Sequence, residues 1–461
     1  MPKLDPTTDE FRAAGHRLID WIGDYFERID DYPVLPHVQP GDVERRFDAA
    51  PVADGKPYDA LLREFEEKII PGVTHWNHPS FFAYFAITGS QAGVLGELLS
   101  AGLNLNGMVW KTSPSVTELE TVTLRWLRDA LGLPDNLFGI INDTASINSF
   151  LALAAAREAA GLDVRRRGLS GLPPLKIYCS EHAHSSIEKA AIALGLGIDG
   201  AVKIASDDRY RMRADLLEQA IARDRAAGAV PIAVAATVGT TSTGSIDPLP
   251  EIGPLAAREK LWLHVDASYA GPAGIVPELR WIWEGIEHAD SITLNPHKWL
   301  FTPVDCSVLY TRNPHALRSA FALGEVPPYL TLTDTAEINY MDFGLQLGRR
   351  FRALKLWMIL EHYGIERLRG VIRDHVAMAA RLAEEIGKRD DLELLAPQML
   401  SLVVFRKKGG DEETMAAFER LNATGELFVS NTRLRGRLGI RVAIGNGATE
   451  WRHVARILDL A

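Results

Sequence analysis

Short runs of Val, Ile, Leu and Ala recur through the middle of the chain, at residues 175–179, 232–238, 261–265, 291–294 and 307–310. Their apolar character is nearly continuous rather than alternating, which marks strands covered on both faces, as in a mostly parallel sheet. Between several of them the period becomes helical, at 214–227 and 249–259. The N-terminal region reads differently. Thr7-Thr8-Asp9-Glu10 has the form of a capping box, with Thr7 as N-cap and Glu10 three positions on. Leu18, Ile22, Tyr25 and Ile29 then recur at helical spacing, so an amphipathic helix is expected to stop before Pro33. Its apolar stripe requires a cover, from this chain or from a second copy. A loop-rich strap over 32–56 and a second helix near 58–70 lead into a dense aromatic run at 75–85. From 350 onward, helical segments at 350–363 and 365–388 precede strand candidates at 402–405 and 440–443. That is the pattern of a small α+β unit closing the chain.

Composition sets the outer bounds. The 461 residues suffice for two or three domains, or for one large α/β domain with appendages. With 47% hydrophobic and 24% charged residues, disorder, collagen and coiled coil are excluded as descriptions of the whole. The net charge of −10 offers no basic footprint for nucleic acid and disfavours an anionic membrane surface. Residues 1–70 hold 16 acidic and 9 basic side chains, so most of the negative excess lies there. No stretch approaches the roughly 18 consecutive apolar residues of a membrane span. Two cysteines, Cys179 and Cys306, cannot form a disulfide framework, and the first residues lack a signal-peptide pattern. A cytosolic location is expected.

Candidate chemistry lies just past the end of each apolar run, because open α/β sheets bind ligands beyond the carboxyl ends of their strands. After 175–179 comes Glu181-His182-Ala183-His184-Ser185-Ser186; after 232–238, Gly239-Thr240-Thr241. The run 261–265 ends on Asp266, and 291–294 leads into Asn295-Pro296-His297-Lys298. Each alone has a bland reading, as a surface lysine or a helix cap. Together they deliver a flat ring, hydroxyls, an acid and an amine to one sheet edge. A lysine that carries an aldehyde, an acid for a pyridine nitrogen and a ring to stack on it are what pyridoxal phosphate requires. Its phosphate needs a cradle, and Asn142-Asp143-Thr144-Ala145-Ser146 before a helical run has that form. Read alone, that segment is more readily a plain N-cap.

At this point the motifs become specific. Asn295-Pro296-His297-Lys298-Trp299, with Asp305-Cys306-Ser307 after it, resembles the lysine signature of the group II pyridoxal-phosphate decarboxylases. His264-Val265-Asp266-Ala267-Ser268-Tyr269-Ala270-Gly271 is similar to the same family's Asp segment. His75-Trp76, Phe81-Phe82-Ala83-Tyr84-Phe85, Ser113-Pro114, Ala183-His184-Ser185-Ser186 and Leu347-Gly348-Arg349-Arg350-Phe351 also fit, in family order. The whole resembles the aromatic L-amino-acid decarboxylases of animals and plants. The resemblance implies fold type I: an α/β large domain with a mainly parallel seven-stranded sheet, a small C-terminal α+β domain and an N-terminal helical extension. The boundaries it suggests are 1–80, 81–349 and 350–461. It also implies a homodimer with active sites at the interface, which would supply the missing cover for the N-terminal helix.

Carried over by position, the resemblance makes Lys298 the cofactor-bearing lysine, His184 the stacking ring and Asp266 the partner of the pyridine nitrogen. Thr241 would lie near the ring hydroxyl, Ala145, Ser146 and Asn295 would hold phosphate, and His297 would sit beside the lysine. Trp76, Tyr84 and Phe85 would line the substrate pocket, with Met108 supplied across the dimer. Tyr329, in Glu325-Val326-Pro327-Pro328-Tyr329-Leu330, takes the place of the family's mobile-loop proton donor. Gly348 falls where plant relatives separate indole from phenol substrates. Met108 and Ala86-Ile87 depart from the family pattern, which usually has an aromatic residue at the first and Pro before a small hydroxyl residue at the second. The expected reaction is decarboxylation of an aromatic L-amino acid to an arylalkylamine. Its rivals are an aromatic aldehyde synthase, a decarboxylase of acidic amino acids and a cofactor-free scaffold. The presence of both Tyr329 and His184 disfavours the first, and the aromatic lining disfavours the second, whose substrate would want an extra cation. The intact Lys298, Asp266 and His184 disfavour the third.

Overall fold

The computed structural model describes Asp5, residues 7–322 and residues 337–461. Its centre is a seven-stranded sheet of β1 (Phe138–Asn142), β2 (Leu175–Ser180), β3 (Ala201–Ile204), β4 (Val230–Thr237), β5 (Trp262–Asp266), β6 (Ser291–Leu294) and β7 (Ser307–Thr311). The order is β1-β7-β6-β5-β4-β2-β3, with β7 antiparallel to both its neighbours and the remaining pairs parallel. Alternate residues of the inner strands enter different cores. Ile177 and Ala235 pack with the helix Ala145–Ala159, whereas Tyr178, Val234 and Ala236 join the core that holds Leu127 and Ile252. The sheet is therefore covered twice, as the continuous apolar runs predict. Five strands are those the runs mark. The other two are edge strands without such a run: β1 is FGIIN, and β3 has only four residues with Lys203 exposed.

A second, antiparallel sheet comes next: β8 (Leu392–Leu394), β9 (Leu402–Lys407), β10 (Ser430–Leu434) and β11 (Arg437–Ala443), in the order β10-β11-β9-β8. Ile440 and Val442 turn into its core with Ala379, Leu382, Leu421 and Ile457, which come from the helices that cover it. The aromatic run reaches this sheet too. Phe82 N–H donates to the Phe428 carbonyl at 2.8 Å, and Ala443 N–H donates to Phe82 at 2.9 Å. The two sheets are joined by the helix Arg352–Gly387, which breaks at Gly364. There the backbone takes φ 69° and ψ 160°, a conformation that only glycine adopts without strain, between the two segments read from the sequence.

The N-terminal helix runs Thr8–Glu27 with both capping-box bonds formed, Glu10 N–H to Thr7 Oγ1 at 3.3 Å and Thr7 N–H to Glu10 Oε2 at 2.8 Å. It leans on the next helical stretch, Tyr58–Glu64 with a π turn Phe65–Ile69: Trp21 donates to Glu66 at 2.9 Å and meets the Phe65 ring edge-on. Only Ala14 is buried, and Phe11, Leu18 and Ile19 remain exposed. Among the described residues, no helix is long and apolar enough to cross a membrane.

Candidate active site

The carboxyl ends of β4, β5 and β6 and the start of the helix Ala145–Ala159 enclose a cavity of about 170 Å³. Eight of the residues read from the sequence line it: Phe85, Ala145, Ser146, His184, Thr241, Asp266, Asn295 and Lys298. The parallel strands explain this convergence, since each ends its apolar run at the same edge and releases a polar residue there.

Lys298 lies in the short helical turn Pro296–Trp299 after β6, its Nζ 5.3 Å from the centroid of the Phe85 ring. Burial pushes its ammonium down to about 8; Arg441 pushes the same way and Asp266 opposes. An amine that sheds its proton there is a nucleophile near neutrality. Asp266 ends β5, where its Oδ1 accepts the Ser268 N–H at 3.0 Å and the Ser268 hydroxyl. His184 Nδ1 accepts the Ser186 N–H at 3.2 Å and lies 2.9 Å from the Ser186 hydroxyl, which fixes the ring plane. The wall behind Lys298 is an aromatic column. Phe85 stacks on Tyr269 at 3.6 Å, and Tyr269 on Trp299 at 4.9 Å.

His297 is buried beside the lysine but turned away, its Nδ1 accepting the Cys306 N–H at 2.9 Å. Burial first and then the neighbouring Lys298 push its imidazole down to about 3, so it is neutral. Trp76 and Tyr84 stack on each other 5.9 Å apart outside the cavity, Tyr84 at a strained φ of 53°. Met108 and Gly348 sit together elsewhere, around Asn106. Asn106 Nδ2 approaches Met108 Sδ at 3.6 Å, and its Oδ1 accepts the Arg349 N–H at 2.9 Å. Gly348 is exposed there, beside exposed Leu345 and Leu347. Tyr329 lies outside the described residues.

Two functional groups escaped the sequence reading. Arg441, on the face of β11 opposite Ile440 and Val442, is buried with its Cζ 4.5 Å from the Phe85 ring centroid. It donates to the carbonyls of Thr241 at 2.6 Å and Tyr84 at 2.5 Å, and its Nη2 has no partner among the described residues. A lone cation inside an apolar strand was the available signal. The extra cation thought to be missing is thus present, although the two loop carbonyls take up much of it. Asp247 is the other. It accepts the N–H of Thr237 at 2.8 Å and of Met212 at 2.7 Å, which anchors the end of β4, and burial pushes its carboxyl up to about 6.

The donor set suits pyridoxal phosphate: a buried amine for the aldehyde, an acid held by a serine for the ring nitrogen, and helix-start N–H groups with the Asn295 amide for the phosphate. A larger groove of about 530 Å³, lined by Tyr210, Trp281 and Met399 among others, has neither lysine nor histidine in its walls.

Comparison with known proteins agrees. Residues 40–408 match the pyridoxal-dependent decarboxylase conserved domain. The chain is 37% identical to phenylacetaldehyde synthase of Arabidopsis thaliana, over 97% of this chain and 94% of that protein. It is 38% identical to tyrosine decarboxylase 4 of Petroselinum crispum, over 99% and 92%. It superposes on the crystal structure of Oryza sativa TDC with PLP and tryptamine with a TM-score of 0.95, at 36% identity, covering 99% of this chain and 98% of that one. Pyridoxal phosphate is thus the cofactor that the sheet edge is suited to receive, and the chain belongs to the pyridoxal-dependent decarboxylases.

Proposed function

We propose that the protein removes the carboxylate of an aromatic L-amino acid, releasing the arylalkylamine and carbon dioxide. The observation that carries this is the aromatic column of Phe85, Tyr269 and Trp299, whose first two rings line the cavity with Lys298 and Asp266. Its first two rings give an otherwise polar cavity one aromatic wall. Plant relatives named for tyrosine and tryptophan decarboxylation support the same substrate class.

When bound, pyridoxal phosphate supplies the electron sink for the carbon that loses its carboxylate. The chain supplies the rest. Lys298, poised near neutral pH by burial, holds the cofactor and yields its place to the substrate amine. Asp266, steadied by Ser268, keeps the proton on the pyridine nitrogen. His184, its plane set by Ser186, offers a flat face to the cavity. Thr241 would face the ring hydroxyl, and Ala145, Ser146 and Asn295 would hold the phosphate. Tyr329 returns a proton to Cα. We assign a homodimer in which the exposed Leu18 and Ile19, and the Leu95–Leu98–Leu99 stripe on the helix Gln91–Leu103, are covered by the partner. Met108 and Gly348 would then complete the partner's pocket. The cytosol fits two free, buried thiols, Cys179 and Cys306.

The similarity to a phenylacetaldehyde synthase keeps a second reading, oxidative release of an aromatic aldehyde. Incubation with tryptophan, 5-hydroxytryptophan, tyrosine, dopa, phenylalanine, histidine and glutamate, scoring amine, carbon dioxide, aldehyde and peroxide, separates them. Amine with carbon dioxide from the aromatic members is expected. Turnover of glutamate alone would overturn the aromatic assignment.

A further inference from the structure

Behind the cavity, where β1, β6 and β7 meet the helix Ala145–Ala159, five polar side chains are buried in an otherwise apolar layer: Asn142, Asn148, Thr293, Asn295 and Ser307. Burying so many amides and hydroxyls is costly unless each is paired. They are paired, and in one direction only. The Thr293 hydroxyl donates to the Val308 carbonyl at 3.2 Å, so towards Asn148 it can only accept. Asn148 therefore presents Nδ2, which donates to Thr293 Oγ1 at 2.9 Å and to Ser307 Oγ at 2.8 Å. Its Oδ1 accepts from Asn142 Nδ2 at 2.8 Å. Ser307, having accepted, spends its own hydrogen on Asn295 Oδ1. The carbonyl end of Asn295 is thereby fixed inward, and its N–H pair is left for the cavity that Asn295 lines.

We infer that Asn148 is a positioning residue for cofactor phosphate: through Ser307 it locks Asn295 in the one orientation that offers donors, not an acceptor, to an anion. This rests on the reading that Asn295 faces the phosphate. A free asparagine amide presents either end, and the wrong end repels phosphate oxygens. The chain of bonds removes that choice before the cofactor arrives.

The test uses the full-length protein stripped of cofactor and titrated with two probes, pyridoxal phosphate and pyridoxal. The second shares the ring and aldehyde but lacks the phosphate. In Asn148→Leu, nothing obliges Ser307 to donate to Asn295, so affinity for pyridoxal phosphate should fall about ten-fold or more. Affinity for pyridoxal should stay within about two-fold of wild type. Ser307→Ala, which removes a single oxygen, makes the same prediction and does not depend on Asn148→Leu folding. The double variant should bind no more weakly than the poorer single one, because both break the same chain. Equal weakening for both probes would mean that Asn148 only supports packing, and unchanged affinity would mean that Asn295 needs no help; either result overturns the inference. Wild type that binds neither probe would instead overturn the assignment of the cofactor site.

Discussion

At the scale of single residues, the protonation of Lys298 is the property most open to measurement. Burial holds it at about 8 against an ordinary 10.5, so the amine is charged below that point and free above it. Only the free amine attacks an aldehyde, so capture of pyridoxal phosphate by the stripped protein, monitored by stopped-flow absorbance, should accelerate with pH and level off above about 8. A midpoint near 10 would mean that the cavity does not desolvate this lysine. The linkage has the matching sign. Between about 8 and 10.5 the unfolded chain binds the extra proton, so the cofactor-free protein gains stability from this group as pH rises through that window. Tyr329→Phe is expected to keep releasing carbon dioxide while molecular oxygen, reduced to hydrogen peroxide, diverts the product from amine towards aldehyde and ammonia. An unchanged amine yield would remove the phenol from the reaction. Lys298, Asp266, His184 and Thr241 were legible because each comes soon after an apolar run. Arg441 was not, since the carbonyls that hold it lie 200 and 357 positions away along the chain. Asn148 looked like an ordinary helix residue, and only the folded register sets it opposite Ser307.

At the scale of elements, periodicity and caps did well where an element is long or fully covered. The inner strands, the capped N-terminal helix and the break at Gly364 arise from residues that have few alternatives. The edge strands β1, β3, β8 and β10 carry less apolar signal, because half of each faces water or a loop, and pairing rather than composition makes them strands. Close helix contact is similarly invisible in one dimension. The helix Gln91–Leu103 approaches Arg352–Gly387 so nearly that a Cβ on Gly96 would stand 2.6 Å from the Lys355 Cα. Backbone, not a flexible side chain, would have to yield. Gly96→Ala should therefore lower the stability by about 1–3 kcal/mol, despite alanine's better helix propensity. Thermal unfolding checks this, and a raised Tm would show that the two helices separate freely.

At the scale of the whole molecule, two groups of the predicted residues lie apart. Those of the cofactor cavity lie at the strand ends, while half-buried Met108 and exposed Gly348 flank Asn106. If that patch completes a neighbour's pocket, two inactive variants should rescue one another. Lys298→Ala mixed with Met108→Arg, at equal amounts with subunit exchange, should recover about a quarter of wild-type activity, because half the dimers are hybrids with one intact site. No recovery would place both residues in the same site. Gly348→Ser should fold normally, since an added Cβ meets only Asn106 atoms, at 3.8 and 4.0 Å. Its indole turnover should fall about ten-fold while phenol substrates are spared, from the overpacking of a larger ring. Equal turnover of both classes would dismiss Gly348 as the selector. If the patch selects substrates, its exposed setting would also bear on how readily the enzyme acquires new ones. Leu345, Leu347 and Gly348 are exposed, so if they border a neighbour's pocket, substitutions there would sample new specificities without gambling the fold or the reactive lysine. Divergence among such enzymes, in nature or in a combinatorial library, should concentrate on this rim and leave the strand ends almost untouched.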